Sequence, residues 1–201
     1  MLERQYNGAL YIILAGFLLL AAYGCQGDFR PGSEAHPEAA AIQYDLDRDG
    51  RPECYNLDGG RLSISRDNQI LWQSPANWGV YECIRGDVNN DGREELVLLL
   101  WKTGSYGKDK PFWHQGFDDR LSNHLFVYQL VNDRLKPLWC SSALPRPVTD
   151  LQVMDINQDG ANELVISEGK YGLLLDEKAP LGTPPSRLIM RWQGWGFYSA
   201  E

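Results

Sequence analysis

Three short segments of the chain repeat one pattern, D-x-[DN]-x-D-G-x-x-E, and this repetition constrains the fold more than any other feature. The copies run from Asp45 to Glu53, from Asp87 to Glu95 and from Asp155 to Glu163; in chain order they are loops one, two and three. Oxygen-bearing side chains at positions 1, 3 and 5 converge on one point only if the backbone coils tightly, and Gly at position 6 permits that coil. Hard oxygen donors without His or Cys select Ca²⁺ over zinc or copper. The EF-hand is excluded, because it needs Glu at position 12, where this chain has Asn56, Leu98 and Ile166. The acidic residue stands at position 9 instead: Glu53, Glu95 and Glu163. The loops hold ten candidate carboxylates, more than the whole net charge of −8. Carboxylates this close repel one another, so a cation among them is expected to stabilise the fold.

Each loop feeds a strand-like run, Glu95-Leu96-Val97-Leu98-Leu99-Leu100-Trp101 and Glu163-Leu164-Val165-Ile166-Ser167 being the clearest. Each also fits a four-strand unit. The first is expected at 40–44, 53–57, 61–66 and 69–73, and the second at 81–86, 95–101, 124–130 and 134–140. The third is expected at 148–154, 162–168, 187–192 and 196–198. Gly (20) and Pro (11) supply the turns, and seven Trp with ten Tyr suit strands.

A loop of this form that ends in a buried strand resembles the calcium loops of FG-GAP (VCBS) repeats, the β-propeller repeats of integrin alpha chains and many bacterial surface proteins. The resemblance implies side-chain ligands at positions 1, 3, 5 and 9. These are Asp45, Asp47, Asp49 and Glu53, then Asp87, Asn89, Asp91 and Glu95, then Asp155, Asn157, Asp159 and Glu163. It implies two or three Ca²⁺ ions. It also implies an all-β, propeller-like fold of three four-stranded antiparallel units. Arg48 and Arg51 stand within loop one and are placed to offset part of its charge. Three units are few for a closed propeller. Compact closure, strand exchange between units and self-association all remain open, and a single compact three-unit domain is the expectation.

The amino terminus reads as an address. From Gln5 to Gln26 no side chain is charged, and the apolar run from Ala9 to Gly24 is shorter than the roughly 20 residues a spanning helix needs. Its end, Ala22-Tyr23-Gly24-Cys25, resembles the lipobox of bacterial lipoproteins, which implies a lipid on Cys25. An uncleaved anchor and cleavage elsewhere are the alternatives. Residues 1–25 are thus a signal or anchor, 26–39 a polar tether and 40–201 the folded domain. The expected location is the cell envelope, with the membrane as one partner.

The segment from Lys102 to Ser122 interrupts unit two with Gly, Pro and charge, yet carries Tyr106, Phe112, Trp113, His114 and Phe117. Loops on a rigid β-scaffold are where binding residues gather. These aromatics therefore form a candidate site for a glycan or a surface protein, the alternative being that Phe112 and Trp113 fold back as a plug. A calcium-dependent lyase or glycosidase using Lys102, His114, Asp118, Asp119 and His124 is the second functional class. Nothing in their spacing demands it, there is no G-x-S-x-G or H-E-x-x-H motif, and no enzyme is expected. A net charge of −8 without a basic stripe excludes a nucleic-acid binder. Trp101, Trp139, Trp192 and Trp195, with Trp72 and Trp78, are expected in the core. Cys54, Cys83 and Cys140 are expected as buried thiols, or with Cys54–Cys83 bridged.

Overall fold

The computed structural model describes residues 41–106, 112, 116–171 and 186–200. Among them are twelve strands and no helix, in three antiparallel four-stranded sheets that each follow chain order. Sheet one is β1 (Ile42–Tyr44), β2 (Glu53–Asp58), β3 (Arg61–Arg66) and β4 (Gln69–Gln73). Sheet two is β5 (Trp78–Gly86), β6 (Glu95–Thr103), β7 (Leu121–Val131) and β8 (Arg134–Cys140). Sheet three is β9 (Val148–Met154), β10 (Glu163–Glu168), β11 (Ser186–Trp192) and β12 (Phe197–Ser199). The expected strands are all present, four of them with the expected bounds. The largest differences are in sheet two, where β5 starts three residues early at Trp78 and β7 three residues early at Leu121. His124, expected at a strand entry, therefore lies inside β7.

Sheet two is covered on both faces, which explains the unbroken apolar run of β6. Its even-numbered side chains Leu96, Leu98 and Leu100 face sheet one with Phe126, Tyr128 and Leu130 of β7, and meet Tyr55, Leu62 and Ile64. Its odd-numbered Val97 and Leu99, with Leu125 and Val127, meet Val148, Leu151, Leu164, Ile166 and Phe197 of sheet three. Period-two alternation thus sorts one strand into two cores. Each fully buried Leu or Ile contributes roughly 1.5–3 kcal/mol relative to exposure. Among the described residues, one cluster joins sheets one and two and another joins sheets two and three. The sheets accordingly pack in series.

The approach of sheet three is close enough to dictate a residue. A Cβ on Gly86, at the end of β5, would lie 2.8 Å from Val153 of β9. Of the six tryptophans expected in the core, four pack against it and two, Trp101 and Trp195, do not. Trp72 and Trp78 pack on the first cluster, Trp139 and Trp192 on the second, and Trp101 stands edge-on to Tyr171. Trp195 is 76% exposed, because the β11–β12 turn at Gly194 (φ 77°) throws its ring outward against Tyr198. The three described cysteines are free thiols: Cys83 is buried, Cys54 half-buried and Cys140 exposed. The Cys54–Cys83 bridge is absent, and burial pushes the Cys83 thiol up to about 12.

Residues 1–40, which hold the expected signal, Cys25 and the tether, lie outside the described residues, as do Trp113 and His114. Among the described residues no helix is long and apolar enough to cross a membrane.

Candidate functional site

The three loops join the first and second strands of each sheet and share one hydrogen-bonding scheme. The position-1 aspartate folds back on its own loop. Asp45 accepts from the amides of Asp49 and Gly50 at 3.0 and 2.8 Å, Asp87 from Asp91 and Gly92 at 3.0 and 2.8 Å, and Asp155 from Asp159 and Gly160 at 3.1 and 2.8 Å. The position-5 aspartates accept from the amides of Arg51, Arg93 and Ala161 at 2.8–2.9 Å. Gly50, Gly92 and Gly160 take φ of 87°, 86° and 88°, a left-handed conformation in which any Cβ is strained. Sequence therefore fixes the coil, as the repeated glycine implies.

The position-9 glutamates are the least expected part of the design. Glu53, Glu95 and Glu163 are 0–1% exposed, and one oxygen of each accepts from the backbone N–H at position 2, on Leu46, Val88 and Ile156, at 3.0–3.1 Å. Each glutamate thus ties its loop to its strand. Leu46 and Val88 themselves plug the first and second apolar clusters, whereas Ile156 is half-buried.

The other oxygen of each glutamate meets a side chain on the third strand of its sheet. Strand register brings Cys54 opposite Ser65, Leu96 opposite Tyr128 and Leu164 opposite Met190. One step along, Glu53 faces Arg66, Glu95 faces Gln129 and Glu163 faces Arg191. The contacts follow this register. Arg66, with its side chain 4% exposed, pairs with Glu53 and Asp133 and reaches Asp49 at 3.0 Å and Asp47 at 3.4 Å. Arg191 pairs with Glu163 and reaches Asp159 at 2.8 Å. Gln129 donates to Glu95 at 2.9 Å. Sequence reasoning missed both arginines. The signal that could have found them is the residue opposite position 9 on the third strand, readable once register is known.

Of the two arginines within loop one, Arg51 pairs with Asp49 at 2.9 Å as expected. Arg48 instead crosses to loop two, donating to the Gly92 carbonyl at 3.3 Å and standing 3.7 Å from Glu94. Loops two and three are joined in the same sense. Asn90 accepts from the Asn162 amide at 2.6 Å, and the Asn162 side chain donates to the Asp87 carbonyl at 3.0 Å. Position 4 of one loop thus grips the next loop.

The electrostatics differ between loops. Burial, then the charges of Asp49 and Glu53, raise Asp47 above the usual carboxylate range against the pull of Arg66. Burial raises Glu95 as well, with hydrogen bonds from Gln129 and Val88 opposing it. Asp159 is lowered by the Ala161 amide first, then by Asn157 and Arg191. In loop one, carboxylate oxygens of Asp45, Asp47 and Asp49 all lie within 4.8 Å of one another, so this trio could hold a metal ion. An open cleft of about 670 Å³, lined in part by Asp47, Asp49, Arg51 and Asp133, reaches it from solvent.

The insertion leaves sheet two at the end opposite the loops. Its base is a polar knot. Asp118 accepts from the amides of Ser105 and Tyr106 at 2.8–2.9 Å, and buried Lys102 donates to the Gly104 carbonyl. His124, wholly buried, lies 3.0 Å from Ser122 Oγ through Nε2 and 3.3 Å from the Ser141 carbonyl through Nδ1. Burial lowers both Lys102 and His124 below their ordinary values. The bonds of Lys102, Asp118 and His124 hold the chain ends of the insertion together, Asp119 is exposed, and we assign them no catalytic role. Of the candidate ligand-binding aromatics, Phe112 and Phe117 are each 92% exposed and Tyr106 sits at the surface. Phe112 therefore does not fold back as a plug.

Fold and site together define an all-β protein of three sheets packed in series, closed along one edge by acid-rich loops. No protein-family model, no curated protein and no solved structure matches the chain.

Proposed function

We propose that the protein is a calcium-stabilised recognition or scaffold module of the cell envelope. In this reading it is exported and held at the membrane through a lipid on Cys25. Residues 40–201 form an open, propeller-like array of three units, and the aromatics Tyr106, Phe112 and Phe117 face a glycan or protein partner. The observation that carries the reading is the loop scheme itself. Three segments far apart in sequence repeat the same carboxylate, amide and glycine geometry at one edge of three sheets. Asp-Gly turns form readily without ions. A buried glutamate behind three further oxygen donors, used three times, is a donor set suited to a hard cation.

Thermal unfolding of the purified chain in calcium and in chelator, with bound calcium counted, tests this. The expected outcome is a higher melting temperature in calcium and at least one ion per chain, since a ligand that binds only the folded state stabilises it. Equal melting in both buffers with no bound ion would withdraw the calcium part of the proposal.

A further inference from the structure

We propose that Asp58 is a site of spontaneous isomerisation to isoaspartate, formed through a cyclic imide with Gly59. The inference is independent of the calcium reading and follows from comparing the Asp-Gly pairs of the chain, Asp49-Gly50, Asp58-Gly59, Asp91-Gly92 and Asp159-Gly160. Such a pair is open to this reaction because glycine has no side chain to hinder its own amide. The glycine nitrogen attacks Cγ of the aspartate, a C–N bond forms, and the carboxyl hydroxyl departs with the amide proton as water. Water then returns to one of the two imide carbonyls. Opening at the side-chain carbonyl restores aspartate, and opening at the main-chain carbonyl leaves the peptide bond on the side-chain carbon. No co-reactant other than water is needed, and the mass is unchanged.

The three pairs within the repeated loops are locked. In each loop the glycine amide donates to the position-1 aspartate, Gly50 to Asp45, Gly92 to Asp87 and Gly160 to Asp155, each at 2.8 Å. The carboxylate of the pair accepts from the amide two residues on, at 2.8–2.9 Å. Nucleophile and electrophile thus face different partners, and ring closure has to break both bonds. Asp58 and Gly59 stand outside this scheme. Asp58 ends β2, Gly59 and Gly60 form a two-residue turn with φ of 53° and 80°, and Arg61 opens β3 opposite Asp58. Both Asp58 and Gly59 are exposed, and a Cβ on Gly59 would meet nothing within 4 Å. Among the described residues, neither the Asp58 carboxylate nor the Gly59 amide has a hydrogen-bond partner. The turn is nonetheless tied to the next sheet, because the Gly60 carbonyl accepts from the Val80 amide at 2.8 Å. Isoaspartate adds a methylene to the main chain, which lengthens this turn and loosens that bond.

The test ages the full chain, folded and in guanidinium chloride, until the unfolded sample carries isoaspartate at all four pairs by peptide fragmentation. The folded sample is expected to carry it at Asp58, with only background at Asp49, Asp91 and Asp159. Asp58→Glu should remove it, since the longer side chain closes the ring far more slowly. Asp155→Ala frees the Gly160 amide and should bring the modification to Asp159; Asp45→Ala does the same for Asp49 if the first variant fails to fold. A folded chain unmodified at Asp58 would overturn the inference, as would equal modification at all four pairs of the folded chain. Amide exchange at Val80 is expected to quicken as the modification accumulates, and a constant rate would overturn the link to sheet two.

Discussion

The two ends of the central sheet solve the same problem by different means. At the loop end, the turn between β5 and β6 is one of three copies, and its charges are organised by a repeated scheme of backbone amides and a buried glutamate. At the other end, the crossing from β6 to β7 has no copy among the described residues. It is held by one carboxylate over two amides, a buried lysine on a carbonyl and a buried histidine between Ser122 and Ser141. The loop end is continuous with both apolar cores through Leu46 and Val88. The insertion end closes a local excursion. Damage at the first should therefore spread through the domain, and damage at the second should stay local.

The largest expected effect is at Glu53. Truncating Glu53→Ala removes the acceptor for the Leu46 amide and for Tyr55, and leaves the Arg66 guanidinium buried without its closest partner. Arg66 keeps Asp47, Asp49 and Asp133 as partners, so the expected cost lies at the low end of that for breaking a buried pair, about 3 kcal/mol. Urea denaturation should show a single transition shifted to lower denaturant, and a shift below about 1 kcal/mol would break the comparison. The matching change at the other end is Asp118→Ala, which leaves the Ser105 and Tyr106 amides without that carboxylate. The expected loss is about 1–3 kcal/mol and confined to the insertion. Amide exchange should quicken at Ser105 and Tyr106 while protection in β6 and β10 stays unchanged. Equal loss of protection in all three sheets would show that the insertion end is also continuous with the core.

The same contrast explains what was legible in the sequence. The repeated loop announces itself in residue types alone, and the position-6 glycines take the backbone conformation that the pattern requires. The β6 run from Leu96 to Leu100 is apolar without a break and proved to be a strand buried on both faces. Arg66 and Arg191 were not legible, because their partners lie across a strand and only register brings them opposite Glu53 and Glu163. His124 and Lys102 were weighed as catalytic candidates because their types suggested chemistry. The structure shows both buried and bonded to backbone carbonyls, a placement that leaves no trace in spacing. Trp195 was expected in the core on ring size alone, and a single turn at Gly194 places it outside.

The smallest expected effect lies between the two ends, on β5. Glu82 stands beside the strand's bulge, and burial, with the like charge of Asp150 on β9 second, pushes its carboxyl up to about 7 from an ordinary value of 4.5. The loop-end carboxylates are surrounded by donors; among the described residues no cation offsets the burial of Glu82. The folded chain therefore binds this proton more tightly than the unfolded chain does. Its contribution to stability is fully present below pH 4.5 and is lost as pH rises through about 7. Glu82→Gln removes that dependence. The variant should match wild type near pH 4.5 and exceed it at pH 8, by no more than about 1 kcal/mol because the group is partly solvated. Denaturation midpoints of the two proteins at both pH values measure the difference, in which background titrations common to both cancel. A wild type that gains on the variant as pH rises would mean that Glu82 has a positive partner when ionised. Glu82 would then have a charged partner, as Glu53 and Glu163 do at the loop end.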